Sequence, residues 1–416
     1  MKRGLIIALA IALLGVAATR ASAQDKVVKL GFPADFTKVY TFVSEEQVQG
    51  MVDYLQLANL RGGAGGYKFE WLTTDHGNEP QRGIEAYERF KREGATIFNF
   101  VSTPVSRAVL PRAMSDKIIV LMPFHGRSDV ADGAVFPYAF SLGANYWSQA
   151  AVITKYALDQ EKGNMKGKKL ALVHIDSPFG KEPIPVFEEL GRRFGFEFAA
   201  FPYPSPGNEQ SATWTQVRRF RPDWVAVWGA GVGNQVSIRE AIRNGIPLDH
   251  VVSVIWIAEK DMHVVGDQEA KGVLRFEAAI SGRETQTVRD IVSEVYQKAG
   301  KGHGKLENVG STYYVIGVNV TAPVVEAVRI AKEKFGDPLT SDKIRQGLET
   351  LKNFDAGGLI APITLSAKDH EGGGSGRISQ WDGTKWVPKT GWYSAYRDVV
   401  WDHVKKSAEE FQRSGK

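Results

Sequence analysis

The stretch Lys168–Gly180, KKLALVHIDSPFG, constrains this chain most, because a short apolar run there is cut off by a polar turn that leads straight into a helix. Leu170, Leu172 and Val173 form a run too compact for a helix, and Asp176-Ser177-Pro178 stops it. Ser177 is placed to cap the following helix, and Pro178 takes its first position, where a missing N–H is harmless. Strand, turn and helix in direct succession make the repeating unit of a parallel sheet, whose ligands bind at the carboxyl ends of the strands. Asp176, Ser177 and Phe179 belong at such an end.

The same alternation runs through most of the chain. Strands are expected at Val27–Phe32, Tyr67–Leu72, Thr96–Phe100 and Ile118–Met122, with helices at Ser44–Leu60, Pro80–Glu93 and Val105–Ser115. Ser44-x-x-Gln47 reads as a capping box opening the first helix, which Gly62 and Gly63 close. A second series has a helix at Tyr146–Gln160 and strands at Lys168–His174, Phe196–Phe201, Trp224–Trp228 and Val251–Trp256. Its other helices fall at Phe179–Phe194, irregular at the start because of Pro183 and Pro185, and at Thr213–Phe220 and Val232–Asn244. Two such series suggest two similar lobes rather than one oversized sheet. The pattern then changes: a strand at Gly272–Ala278, long helices at Thr285–Ala299 and Tyr313–Lys334, and a strand at Leu359–Leu365. A hairpin turns within Trp381–Trp386, and a late helix covers Tyr396–Phe411.

Lys2 and Arg3 precede an apolar run, Leu5–Val16, and Ala21-Ser22-Ala23 follow it. That is the pattern of a secretory signal, residues 1–23, cleaved near Gln24; the run is too short to span a bilayer. Beyond it, no stretch has the roughly 18 continuous apolar residues of a membrane helix, so a soluble periplasmic protein is expected. The chain has no cysteine, so disulfides are unavailable and the core alone must hold an exported protein together. With 416 residues, 43% of them apolar, it is long enough for two ordinary domains. Its formal charge is +5, but Lys2, Arg3 and Arg20 supply three of those charges, and the remaining +2 speaks against a nucleic-acid surface.

Motifs for other chemistries are incomplete. Gly229-Ala230-Gly231-Val232-Gly233-Asn234 follows a strand, yet Asn234 stands where a dinucleotide fingerprint needs its third glycine. A nucleophile elbow around Ser375 would need glycine at 377, where the chain has Arg377. His263, His303 and His370 are scattered and in no metal motif, and there is no phosphate-binding P-loop.

The Asp176-Ser177-Pro178-Phe179-Gly180 turn resembles the D-S-P-[YF]-G turn in the second lobe of branched-chain amino-acid type periplasmic binding proteins. Gly50, Ala58 and Gly62-Gly63 resemble that family's first helix and the turn after it, although Asn59 falls earlier than the family's asparagine. Asp75-x-Gly77-x-x-Pro80 is similar to its D-x-x-x-x-P, and Ser102-Thr103 to its paired hydroxyl residues after the third strand. Tyr313, Tyr314, Ala322, Ala327 and Ala331 resemble its long late helix, with Val315 and a kinking Pro323 as departures. The resemblance spans nearly the whole chain from Val27. It implies the type I periplasmic binding fold: α/β, with two doubly wound parallel-sheet lobes joined by three crossover segments. The first lobe would comprise 24–142 and 279–355, the second 143–278 and 356–416.

The resemblance also implies a site. In the family the hydroxyl pair and the loop after the fourth strand hold a ligand carboxylate, which nominates Ser102, Thr103, Phe124, His125, Gly126 and Arg127. The Phe124–Arg127 loop departs from the family's small residues and would narrow the pocket. From the second lobe come Phe179, Ala230 or Gly231, and Trp256 to Glu259, with Glu259 the nearest candidate to receive an ammonium group. A surface salt bridge from Glu259 to Lys260 or Arg239 is the other reading of that residue. With Tyr40 and Phe42 in the first loop, the expected pocket is more aromatic than a leucine site, and amino acids, small amides and aromatic acids all stay open. The function implied is the substrate-binding component of an ABC importer: a monomer and not an enzyme, without cofactor or metal, working with permease and ATPase chains. A ligand sensor of the same fold and an exported α/β enzyme are the rival classes.

Overall fold

The computed structural model describes residues 26–414, so the signal read at 1–23 lies outside the described residues. The first sheet is built from β1 (Val27–Ala34), β2 (Lys68–Asp75), β3 (Ile97–Phe98), β4 (Ile119–Leu121) and β5 (Ala139–Phe140). Its order is β2-β1-β3-β4-β5, every neighbour parallel. The second sheet comprises β6 (Lys169–Ile175), β7 (Glu197–Tyr203), β8 (Trp224–Trp228), β9 (Val251–Ser253), β10 (Leu274–Glu277), β11 (Arg377–Trp381) and β12 (Trp386–Pro388). Its order is β12-β11-β10-β9-β8-β6-β7; β6 to β10 are parallel, and the β11–β12 hairpin adds antiparallel strands at one edge. All of β8, and Leu170 to Ile175 of β6, are buried, as strands covered on both faces by helices must be.

The chain passes between the sheets three times: after β5, after β10 and before β11. Between the last two passes the long helix Thr312–Phe335 packs along Thr41–Leu60 on the first-lobe side. The two backbones approach so closely that a Cβ on Gly50 would meet the Tyr314 carbonyl oxygen at 2.1 Å, and one on Gly317 would meet that of Gln47 at 2.0 Å. By length and composition Thr312–Phe335 could cross a membrane, but 78% of its apolar window is buried within the protein. Pro323 lies inside that helix without ending it.

The terminal helix, Arg397–Ser414, touches both lobes. Arg193 pairs with its Asp398, and Trp147 stacks at a tilt on its His403, on the second-lobe side. On the first-lobe side Ser407 donates to Asp129 at 2.8 Å, and Phe411 packs on Phe136 with ring centres 4.7 Å apart.

Several elements differ from expectation. The first helix begins at Thr41, so Ser44 and Gln47 are not a capping box; both are fully buried inside the helix. The N-terminus is held from upstream: the Asp35 carboxylate accepts the N–H groups of Lys38 and Tyr40, both at 2.8 Å. Helices Glu259–Val265 and Ser341–Leu348 stand where none was foreseen. Leu359–Leu365 is no strand; Pro362 interrupts it, and only isolated bridges such as Phe354 to Ile363 form. The Phe179–Phe194 helix is broken at Pro183 into Pro178–Lys181 and Ile184–Phe194.

Candidate functional site

The carboxyl ends of both sheets face one cavity. Its walls are Tyr40, Phe42 and Val43 after β1, Val101, Ser102 and Thr103 after β3, and His125 after β4. From the other side come Tyr146, Phe179 after β6, Ala230 after β8 and Trp256 after β9. The space between those walls, open mouth included, is about 360 Å³.

The first-lobe wall rests on unusual backbone. Val101 has φ 48°, a left-handed conformation costly for a β-branched residue. Asn99 holds it there: its side chain accepts the Val101 N–H at 3.1 Å while donating to the Leu121 carbonyl at 3.0 Å. That turn delivers Ser102 as the cap of helix Thr103–Asp116, accepting the Val105 N–H at 3.3 Å. The Ser102 hydroxyl donates to Asn78 Oδ1 at 2.7 Å, so its hydrogen is already used. Thr103 differs: its oxygen accepts the Gly126 N–H at 3.2 Å, and its hydroxyl stands near that of Tyr146.

His125 reaches the cavity with both ring nitrogens engaged. Nδ1 faces the Pro123 carbonyl at 3.0 Å and must therefore carry the proton, leaving Nε2 to accept from Ser106 Oγ at 3.3 Å. Burial pushes its pKa down to about 4, so the ring is neutral near pH 7. The preceding Phe124, with φ 59°, turns away into the core, where its ring lies 3.0 Å from where a Cβ on Gly143 would stand.

The second-lobe wall is aromatic. Ser177 caps its helix as the sequence suggested, accepting the Gly180 N–H at 3.3 Å with Pro178 in the first turn. Gly180 is required because a Cβ there would meet the Ile175 carbonyl oxygen at 1.9 Å. Phe179 leans on Tyr146, ring centres 5.2 Å apart, and Tyr146 meets Trp228 edge-on at 5.7 Å. Trp256 Nε1 donates to the Tyr146 hydroxyl at 2.7 Å, and burial raises that phenol's pKa well above its ordinary value.

Of the residues nominated from sequence, Ser102, Thr103, His125, Phe179, Ala230 and Trp256 line this cavity. Phe124, Gly126, Arg127, Gly231 and Glu259 do not. Arg127 binds Asp129 through two hydrogen bonds of 2.7 and 2.6 Å and lies over the Phe136 and Phe411 rings. Gly126 acts through its N–H on Thr103, and Gly231 leaves room for the Phe42 ring. Glu259 accepts from the Thr312 hydroxyl at 2.8 Å, stands 3.8 Å from Arg275 and faces a separate cavity beside the crossing segments. Val43, Val101 and Tyr146 were missed. Tyr146 had a signal: it directly follows Asn145, which caps the helix at the first crossing.

The lobes also meet beside the cavity. Glu182, two residues after the turn glycine, accepts the Ser128 N–H at 2.6 Å and lies 3.7 Å from Arg107. Lys260 pairs with Glu46 at 2.6 Å and donates to the Phe42 carbonyl. Both pairings join residues on opposite sides of the cleft.

Sequence comparison places residues 27–385 within the periplasmic binding protein family, and the chain belongs to it. A Leu/Ile/Val-binding protein homolog 3 from Brucella melitensis biotype 1 is 21% identical over 369 residues, covering 88% of this chain and 95% of that one. A crystal structure described as an ABC transporter permease from the Pseudomonas fluorescens group is 33% identical, with TM-score 0.86 over 94% of this chain and 98% of that one. A branched-chain amino-acid ABC transporter protein from Thermus thermophilus with bound valine is 19% identical, with TM-score 0.77 over 91% of this chain and 99% of that one. The fold is thus that of the two-lobed type I periplasmic binding proteins, leucine-binding-protein-like.

Proposed function

We propose that the protein is the periplasmic solute-binding component of an ABC importer, a monomer that captures a small organic ligand between its lobes and presents the closed form to separate permease and ATPase chains. The observation that carries this reading is a cavity walled by strand ends of both sheets, with hydroxyls and a helix N-terminus on the first side and aromatic rings on both. A ligand touching both walls stabilises the closed arrangement, because each wall alone offers half of its contacts. The residues assigned to binding are Ser102, Thr103, His125, Phe179, Ala230 and Trp256, joined by Tyr40, Phe42 and Tyr146. Relatives of this fold include one with valine, one in complex with benzoate and one described as a fatty acid transporter protein, so the fold leaves the ligand class open.

Small-angle scattering with and without ligand tests the reading. A cognate ligand is expected to shrink the radius of gyration and raise the melting temperature by mass action. Tight binding with neither change would reject closure between lobes.

A further inference from the structure

The cavity's hydrogen-bond inventory narrows the ligand, given the reading that this cavity is the binding site. No Asp, Glu, Lys or Arg lines it. Glu259 is committed to Thr312 and Arg275 outside the cavity. The next carboxylates are also engaged: Asp261 accepts from the Ala258 N–H at 2.9 Å, Gln235 at 2.9 Å and the Tyr313 hydroxyl at 3.1 Å. Asp35 accepts the main-chain N–H groups that shape the first loop. The carbonyls of Phe42, Ala230 and Trp256 already accept from Lys260, Gly233 and Asn234. An ammonium group buried here would find no carboxylate in the lining to balance it, which is the costliest way to bury a charge.

Hydrogens, in contrast, are in surplus. Indole and main-chain N–H groups only donate, so Trp256 and Gly126 oblige the Tyr146 and Thr103 oxygens to accept. Each hydroxyl then has its own hydrogen to give. The two hydroxyls stand near one another, and at most one of those hydrogens can be taken up between them. Thr103 also opens a 14-residue helix: Pro104 has no N–H, and the Val105 and Ser106 N–H groups are taken by the Ser102 hydroxyl and carbonyl, so the Thr103 N–H is the first-turn donor left over. Phe42, Phe179 and Trp256 supply apolar surface around this donor cluster.

We infer that the ligand is a compact monocarboxylate with an aromatic or branched apolar body and no ammonium group. The carboxylate takes the Thr103 and Tyr146 hydrogens at the helix N-terminus, and the body lies among the rings of Phe42, Phe179 and Trp256. An amide in its place would bring further N–H donors to a site already rich in them.

Matched pairs test this by isothermal titration calorimetry: benzoate against benzamide, phenylacetate against phenylalanine, and 4-methylpentanoate against leucine. The acid of at least one pair is expected to bind, and to bind at least about a hundredfold more tightly than its partner. Thr103→Val and Tyr146→Phe are each expected to weaken that acid by about ten- to a hundredfold. Leucine or phenylalanine binding as tightly as the matched acid, with sensitivity to Thr103→Val, would keep the site and overturn the inference. A bound acid indifferent to both substitutions would reject the cavity itself, and failure of all three acids to bind would overturn the inference.

Discussion

The two walls of the cleft are made by opposite means. On the first lobe, backbone conformation does the positioning: Val101 and Phe124 sit at φ 48° and 59°, and the groups they present are small hydroxyls and N–H donors. On the second lobe large rings do the work, with Tyr146 packed on both Phe179 and Trp228. A wall of the first kind can orient a charged group without adding bulk, whereas a wall of the second kind sets size and is also part of the core. Substitutions on the second wall should therefore cost folding, while those on the first should separate folding from affinity.

The largest effect is expected from Trp256→Ala. Removing a ring that is only 7% exposed should cost about 3–5 kcal/mol of unfolding free energy in urea, in addition to lost binding. Full stability in this variant would break the claim that the second wall is core.

Next comes the pH dependence of stability. The folded pKa of His125, about 4, lies below its unfolded value, so between pH 4 and about 6.5 the unfolded chain holds more protons. The stability linked to neutral His125 is full above the unfolded value, falls as pH drops through that window and is gone below the folded value. Its size is about 3 kcal/mol. Denaturation midpoints across the window should fall less steeply in His125→Gln than in the wild type; parallel slopes would remove His125 as a source.

Within the first wall, Ser102 and Thr103 should part company. Ser102→Ala removes a cap and should cost about 1 kcal/mol of folding with affinity almost unchanged. Thr103→Val should cost about 1.5–3 kcal/mol of ligand binding and, because it leaves the buried Gly126 N–H unpaired, about 1 kcal/mol of folding as well. Equal behaviour of the two variants would mean that hydrogen accounting does not separate their roles. The smallest effect belongs to Lys260→Met: because Lys260 is 39% exposed, its pairing with Glu46 should contribute no more than about 0.2–1 kcal/mol to closure, read as a few-fold loss of affinity at low salt.

What could be read from sequence follows the same division. Apolar runs punctuated by turn residues located Trp224–Trp228 and Tyr146–Gln160 to the residue, and the Asp176–Gly180 turn with its cap. Those signals are local. The first helix was misplaced because its N-terminus is held by Asp35, outside any capping-box spacing. Arg127 and Glu259 were assigned to the pocket by position after a strand, but Arg127 is drawn off by Asp129 and Phe411, and Glu259 by Arg275 and Thr312. Most of these partners are distant in sequence. The left-handed turn at Val101 carries no glycine or asparagine to announce it; its support is the side chain of Asn99, itself held by the Leu121 carbonyl.

The terminal helix gives the cleft a mechanical limit. Anchored to the second lobe through Asp398 and His403 and to the first through Ser407 and Phe411, it spans the gap as a brace. Small angles of opening can be taken up as a swivel about its last turns. Wider ones must pull Phe411 off Phe136 and expose both rings to water, which opposes opening. The molecule should gape shallowly and shut quickly, with its travel set at the chain terminus rather than by the crossing strands.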